Sequence, residues 1–368
     1  MFSSPFHQRG HEDDETAAAE SELDFMTFKR KAKPGGGPWP KRRAQMTKRT
    51  FLAIVFSLAL AVPAVCPGSE PAQKAAKISV PETLPLKLRY RVGETQYYRL
   101  ARQNNNFKID GTNAGEMRAV AYFSRTRLED SSDGKVREKF TWKRFEFGQT
   151  VGPTPLTLSE FRPAENFSLV YSVSEEEAIS KFDFSSLPRT LEGFMFMILS
   201  WDAVTFDAAV RPTQNLRIPE EARVGAEFRE TREPHDFVFE FPPLVTDSKY
   251  AFSGKSWVRI LGLTTVRDIP CAIVEFAESE NRLEMNLHLQ PMEIKSRGFE
   301  HFWGKTYLSL EDGRVVKGEL VGPVAITQDI LVPGREQPDH AELLIIGYLE
   351  MDLLSEGEFN AGLKKIAK

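Results

Sequence analysis

Apolar and polar side chains alternate with period two along much of the chain, and that period constrains the fold more than any other feature. Leu86, Leu88, Tyr90 and Val92 alternate with Lys87, Arg89 and Arg91. Leu283, Met285, Leu287 and Leu289 alternate with Glu284, Asn286, His288 and Gln290. Successive side chains of a strand point to opposite faces, so such runs describe strands buried on one side only. Similar runs cover 97–109, 117–128, 136–147, 257–261, 271–276, 302–310, 315–326 and 343–351. Turn residues separate them: Gly93-Glu94, Asp133-Gly134, Arg267-Asp268 and Asp312-Gly313. An Asp-Gly pair between alternating runs signals a tight hairpin, whose two central residues take positive φ. The alternation changes phase between Trp142 and Phe145, which predicts a bulge there.

The chain is therefore expected to be mainly β, built of curved antiparallel sheets in a half-barrel-like arrangement. Its 27 phenylalanines suit strands, where bulky rings pack on a pleated surface. Asp133-Gly134-Lys135-Val136 and Asp312-Gly313-Arg314-Val315 hold similar places in two halves. One reading is a diverged duplication and the other a single shared turn. Between the halves the texture becomes helical. Ser186-Leu187-Pro188 predicts a helix start, with serine as N-cap and proline at the first helical position. Leu187, Leu191, Phe194, Met195 and Ile198 follow at helical spacing, and Phe196, Met197 and Leu199 extend the apolar surface around the back. A helix apolar nearly all round is a buried one. Residues 212–219 read as a linker. The organisation expected is thus an N-terminal half over 69–215, with a helix near 187–200, and a C-terminal half over 216–368.

Ahead of this body, Lys48-Arg49 precedes an apolar stretch from Phe51 to Val62, with small residues at Cys66 and Gly68. A basic region, an apolar core and a small-residue cleavage site make a secretory signal, placed here at 46–68. The stretch is shorter than the roughly 20 apolar residues of a spanning helix, and Pro63 breaks it, so a membrane anchor is the lesser reading. Residues 1–45 pair an acidic run with a basic one around Pro34-Gly35-Gly36-Gly37-Pro38, a composition that buries too little to order itself. They read as a disordered tail or as an upstream extension of a chain starting at Met46. The expected location is periplasmic or extracellular.

The whole chain carries a formal charge of −4. Residues 1–45 hold eight basic and seven acidic side chains and Lys48 and Arg49 add two positive charges, so the remainder carries −7. An acidic body argues against nucleic acid, which is bound by neutralising phosphates. Cys271 alone follows the leader, so no disulfide framework is available, and it lies in the apolar run 269–274, where a thiol is an inert small hydrophobe. Gly254-Lys255-Ser256 resembles the end of a phosphate-binding loop, but Lys249 stands where its first glycine belongs. His235, His288, His301 and His340 show no metal-ligand spacing. His288 and His301 could meet across neighbouring strands, with Glu284 or Glu300 nearby, or could simply lie on a solvated face. Asn166-Phe167-Ser168 matches a glycosylation sequon. No catalytic residue, metal ligand or cofactor is nominated.

The segment Leu86-Lys87-Leu88-Arg89-Tyr90-Arg91-Val92-Gly93-Glu94-Thr95, followed by Tyr97-Tyr98, resembles the opening of exported bacterial proteins of unknown function. The run from Leu261 to Ala272 is similar to a later hairpin in such proteins. Their folds are likened to the lipoprotein-carrier type, a curved antiparallel sheet with helices in its hollow. The resemblance implies export and β architecture, and no functional residue is carried over from it.

Three functions are compatible with this body. The first is a non-enzymatic envelope protein that binds a lipid or other apolar ligand, or an envelope protein partner, with Phe194, Met197 and Trp201 of the helix as the ligand-binding candidates. It loses its basis if the helix merely fills the core. The second is a secreted hydrolase with dispersed carboxylates, and the third is a structural interaction module of the envelope.

Overall fold

The computed structural model describes residues 83–85, 91–130, 136–150, 156, 159–161, 167–173, 181–209, 221–289 and 292–364. Several expectations lie outside them: the leader and the tail before it, the strand start at 86–90, the Asp133-Gly134 turn, Asn166 and the linker at 212–219. In chain order the strands are β1 (Leu84–Pro85), β2 (Thr95–Lys108), β3 (Asn113–Arg127), β4 (Val136–Gln149), β5 (Ser159–Phe161), β6 (Phe167–Val173) and β7 (Lys181–Phe182). Helix α1 (Leu191–Thr205) and a 3-10 turn over Phe206–Ala209 follow. Then come β8 (Glu221–Ala222), β9 (Glu227–Phe241), β10 (Val245–Val266), β11 (Ile269–Leu289), β12 (Met292–Ser309), β13 (Val315–Leu331), β14 (Asp339–Leu354) and helix α2 (Glu356–Lys364).

Twelve of these strands form one open antiparallel sheet, ordered β7-β6-β4-β3-β2-β14-β13-β12-β11-β10-β9, with β5 beside β4. β1 and β8 pair separately. The β14–β2 pairing joins the last strand to the first long one, from Leu343↔Lys108 to Leu354↔Tyr97, so strands from both halves share a single sheet. The sheet curls around α1. Phe196 touches Trp142 and Phe145 of β4 and Phe167 of β6, while Phe194 touches Phe241 at the end of β9. β4 and β9 stand eight steps apart in the strand order, roughly 38 Å in a flat sheet, yet one helix reaches both.

Alternation assigns the faces. Tyr98, Leu100, Arg102, Asn104 and Asn106 of β2 point inward and are buried, and so do Phe123, Ala121 and Ala119 of β3. The expected bulge in β4 is present: Tyr122 pairs with Arg144 and Phe123 with Trp142, leaving Lys143 as the extra residue. Runs read separately at 271–276 and 283–289 belong to one strand, β11. A register shift between Glu278 and Asn281 breaks its alternation, and Glu280 there has φ 66°. Arg267 and Asp268 both take positive φ (50° and 63°) and close the two-residue β10–β11 hairpin. The Asp312-Gly313 turn departs from expectation. Only Gly313 has positive φ (70°), and the loop is wider, closed by Ser309 N–H donating to the Arg314 carbonyl (2.9 Å) and Gly313 N–H to that of Ser309 (2.9 Å).

The helix start also needs correction. Thr190, not Ser186, is the N-cap, its hydroxyl accepting from Gly193 N–H at 3.4 Å. Ser186-Leu187-Pro188 forms a bend, and Leu187 N–H donates to the Phe184 carbonyl. Leu187 is still buried, which is why its apolar signal fitted the helical spacing. From Phe194 to Ser200 every side chain is buried, so the helix is enclosed all round as its composition required.

Candidate functional site

Two polar clusters seat the helix. Asp202 accepts from Arg102 of β2 at 2.5 Å, and only 3% of the arginine side chain is exposed. Burial raises the Asp202 carboxyl above the ordinary range despite that partner. One turn on, Asp207 takes a two-pronged contact from Arg125 of β3 (Nη1–Oδ1 3.1 Å, Nη2–Oδ2 2.7 Å), and the same guanidinium reaches Glu138 of β4 at 2.7 Å. It lies over the Phe140 ring at 4.9 Å. Tyr98 beneath it donates to Gln96 Oε1, and burial pushes its phenol well above the usual value. These are anchoring contacts. Inward arginines of the sheet fix the acidic end of the helix.

Phe194 and Met197 accordingly sit in the core with 0% and 1% exposure. Trp201 is half-buried, its ring edge-on to Phe184 at 5.8 Å. Of the three candidates it alone has surface left.

The chemistry-bearing residues are not brought together. His288 of β11 pairs with Glu293 of β12, whereas His301 lies eight residues further along β12, roughly 27 Å away. His288 Nε2 is 2.7 Å from the Thr246 hydroxyl, and His301 packs against Trp303. Glu284 faces Arg297, and Glu300 points inward. Cys271 is buried, and burial pushes its thiol up to about 12. Gly254-Lys255-Ser256 lies inside the long strand β10. Among the described residues no three His, Cys, Asp or Glu side chains converge as a metal site, and no helix is long and apolar enough to cross a membrane.

The outer face carries a feature that alternation alone conceals. Three adjacent rows cross β12, β13, β14 and β2. The first is Phe299, Ala325, Leu344 and Phe107, and the third is Trp303, Val321, Tyr348 and Gln103. Between them run His301, Pro323, Ile346 and Asn105, the last three in direct register. Phe299, Trp303 and Leu344 are 58%, 44% and 36% exposed. Charged rows frame this apolar block: Arg297, Thr327 and Glu342 on one side, Lys305, Glu319 and Glu350 on the other. Beside it, next to the β11 bulge, lies a hollow of about 430 Å³. Phe299, Pro323, Ala325 and Leu344 line it together with Glu280, Arg282, His301 and the chain at Glu300. The Arg282 guanidinium rests over the Phe299 ring at 5.9 Å. Helix α2 covers a different part of this face. Phe359 meets Tyr97 and Tyr122, and Arg144 donates to the carbonyls of Gly362 and Leu363.

The sequence held a signal for the block. In Leu343-Leu344-Ile345-Ile346 the alternation fails because both faces are apolar, a pattern of strands covered on both sides. A mixed apolar surface with a polar frame is the anatomy of an interaction site.

No family model matches the chain, and no curated protein matches it. Solved structures that it resembles weakly include DynF from the dynemicin biosynthesis pathway of Micromonospora chersina (7% identity, 82% of this chain and 98% of that one, TM-score 0.22). A Bacteroides fragilis protein with a YmcC-like fold, inferred to be exported, matches at 11% identity over 74% of this chain and all of that one, with a TM-score of 0.19. A DUF1329 family protein from Desulfovibrio piger matches at 9% identity over 73% and 92%, with a TM-score of 0.12. The resemblance to exported β-rich bacterial proteins is thus present and weak, and at these scores it carries no functional argument.

Proposed function

We propose that this is an exported, non-enzymatic binding protein that works through the outer apolar block and its adjoining hollow. The observation that carries the reading is the exposure of Phe299, Trp303 and Leu344 together on one patch of an otherwise alternating sheet. Solvated sheet faces are polar, and contiguous apolar surface on them marks a contact surface. The leader at 46–68 supports export. The enclosed helix supports placing the contact outside, since Phe194 and Met197 are already packed against protein.

The test is native mass spectrometry of the protein purified from its envelope fraction, compared with Phe299→Glu. The wild type is expected to carry an additional mass, a small apolar molecule or another chain, that the variant lacks. Bare single chains in both samples would refute the reading.

A further inference from the structure

Resting on that reading, we propose that the occupant of the outer block is a second copy of this chain, packed sheet on sheet about a two-fold axis that runs along β13. The charges of the frame select this partner and this axis. Strand β12 contributes the cations Arg297 and Lys305 and strand β14 the carboxylates Glu342 and Glu350, one to each framing row, while Glu319 of β13, which meets its own copy at the axis, is already paired with Lys317 at 2.6 Å. Neither Arg297 nor Lys305 has an ion pair among the described residues. Among the described residues the ion contacts of Glu342 and Glu350 are long, to His340 at 3.8 Å and to Arg99 at 3.5 Å.

A two-fold axis along β13 keeps each row opposite itself and exchanges β12 with β14. Arg297 then faces the partner's Glu342, and Lys305 faces the partner's Glu350. In the apolar rows Phe299 meets the partner's Leu344, and Trp303 meets the partner's Tyr348. An axis across the strands would exchange the two framing rows instead. It would set Arg297 against the partner's Lys305 and Glu342 against the partner's Glu350, four like-charge juxtapositions per dimer. The surface is therefore self-complementary in one orientation and self-repelling in the other, which is how an isologous interface is specified.

The area is adequate. From the row of Arg297 to that of Lys305 is eight residues, and from β11 to β2 is four strand steps, so the face measures roughly 27 by 19 Å. Two copies would cover on the order of 1,000 Å², the lower bound for a specific interface. Twisted sheets of one hand also pack face to face with their strands nearly aligned, as this axis requires.

Sedimentation velocity over a concentration series tests the proposal. The wild type is expected to sediment as a dimer that Phe299→Glu converts to a monomer. Arg297→Glu alone and Glu342→Arg alone should each raise the dissociation constant about tenfold or more, because every dimer holds the pair twice. The double variant Arg297→Glu/Glu342→Arg should return to wild-type association. A circular dichroism melt of each variant separates loss of association from loss of fold, and all three positions are at the surface. A wild type that stays monomeric at 100 µM would overturn the dimer, as would a dimer indifferent to both Phe299→Glu and the charge reversals. If that monomer still carries a Phe299-dependent mass, the partner assignment fails and the binding reading stands. If it carries none, both fail.

Discussion

Replacing Arg125 with methionine tests whether buried charge seats the helix. The guanidinium contacts Asp207 and Glu138 at 2.7 Å through one nitrogen, and the three side chains are 2%, 2% and 0% exposed. Methionine keeps much of the packing over Phe140 but removes the guanidinium that both buried carboxylates contact. Each must then remain charged in a dry site or take up a proton. At pH 7, protonating a carboxyl of ordinary pKa near 4 costs about 4 kcal/mol, at about 1.4 kcal/mol per unit. That route caps the loss at roughly 8 kcal/mol for the pair, and removing one partner of a buried pair costs about 3–5 kcal/mol. Folded domains are stable by only about 5–15 kcal/mol, so Arg125→Met should be marginal at neutral pH. Urea titration followed by circular dichroism measures the loss. Because the variant's folded state would bind extra protons, its stability should rise as pH falls from 7 towards 5, by up to about 1.4 kcal/mol per unit for each carboxyl protonated. Arg125→Met/Glu138→Gln/Asp207→Asn, which removes both charges as well, should recover most of the loss. A loss below about 1 kcal/mol in the single variant would mean that the cluster is wet, and the anchoring argument would be wrong.

Two further outcomes follow from local geometry. Ser355→Ala should lower stability by about 1 kcal/mol in the same titration, because Ser355 Oγ accepts from Glu358 N–H (3.2 Å) while Glu358 accepts from Ser355 N–H (2.8 Å) at the start of α2. Donation from Ser355 N–H (2.8 Å) and from its hydroxyl (2.9 Å) holds the Glu358 carboxyl below its ordinary 4.5, so their contribution is present above that value and disappears as pH falls through the lower folded one; equal melts of wild type and variant at pH 7 would refute the cap. Cys271, its thiol pushed up to about 12 by burial, should not react with Ellman's reagent at pH 8 until urea unfolds the chain, and rapid labelling of the native protein would contradict its placement.

Most of the sheet was legible because one-sided burial writes itself as alternation. The phase change at Trp142–Phe145 located a real bulge, since an extra residue inverts every later side chain. Strand β9 escaped because Glu230, Arg232, Glu233, Pro234 and Asp236 mask its period, as suits the edge of a sheet that must not recruit another strand. Helix α2 escaped because its mean character is polar and only Phe359 is buried, although the Ser355-x-x-Glu358 spacing announced it. The inward arginines could not be foreseen at all. Arg102 and Arg125 occupy positions whose alternation demands apolar residues, and their partners Asp202 and Asp207 lie 100 and 82 residues further along the chain. Only the fold brings them together. The outer block is a similar case, assembled from four strands whose residues span Gln103 to Tyr348.

The energetics of that block explain why its charged frame decides the outcome. If about 60% of the roughly 500 Å² offered by each copy is apolar, pairing removes on the order of 600 Å² of apolar surface from water, or about 15 kcal/mol at 25 cal/mol per Å². Lost translational and rotational freedom costs about 4–15 kcal/mol, with ordering of long side chains in addition. The apolar rows therefore come close to balancing the cost of association and leave a surplus that is small or moderate. Under that balance, Arg297–Glu342 and Lys305–Glu350, each present twice, set the affinity, although such pairs are worth little on a free surface. The same balance makes the orientation strict. Turning the partner by a half turn in the plane leaves the apolar term almost unchanged but converts four attractions into four repulsions. An apolar block without the frame would be indiscriminately adhesive, and a frame without the block would not hold. Charge reversal at Arg297 thus discriminates between a surface shaped for its own copy and one that is merely greasy, because only the former responds to the sign of a residue at its rim.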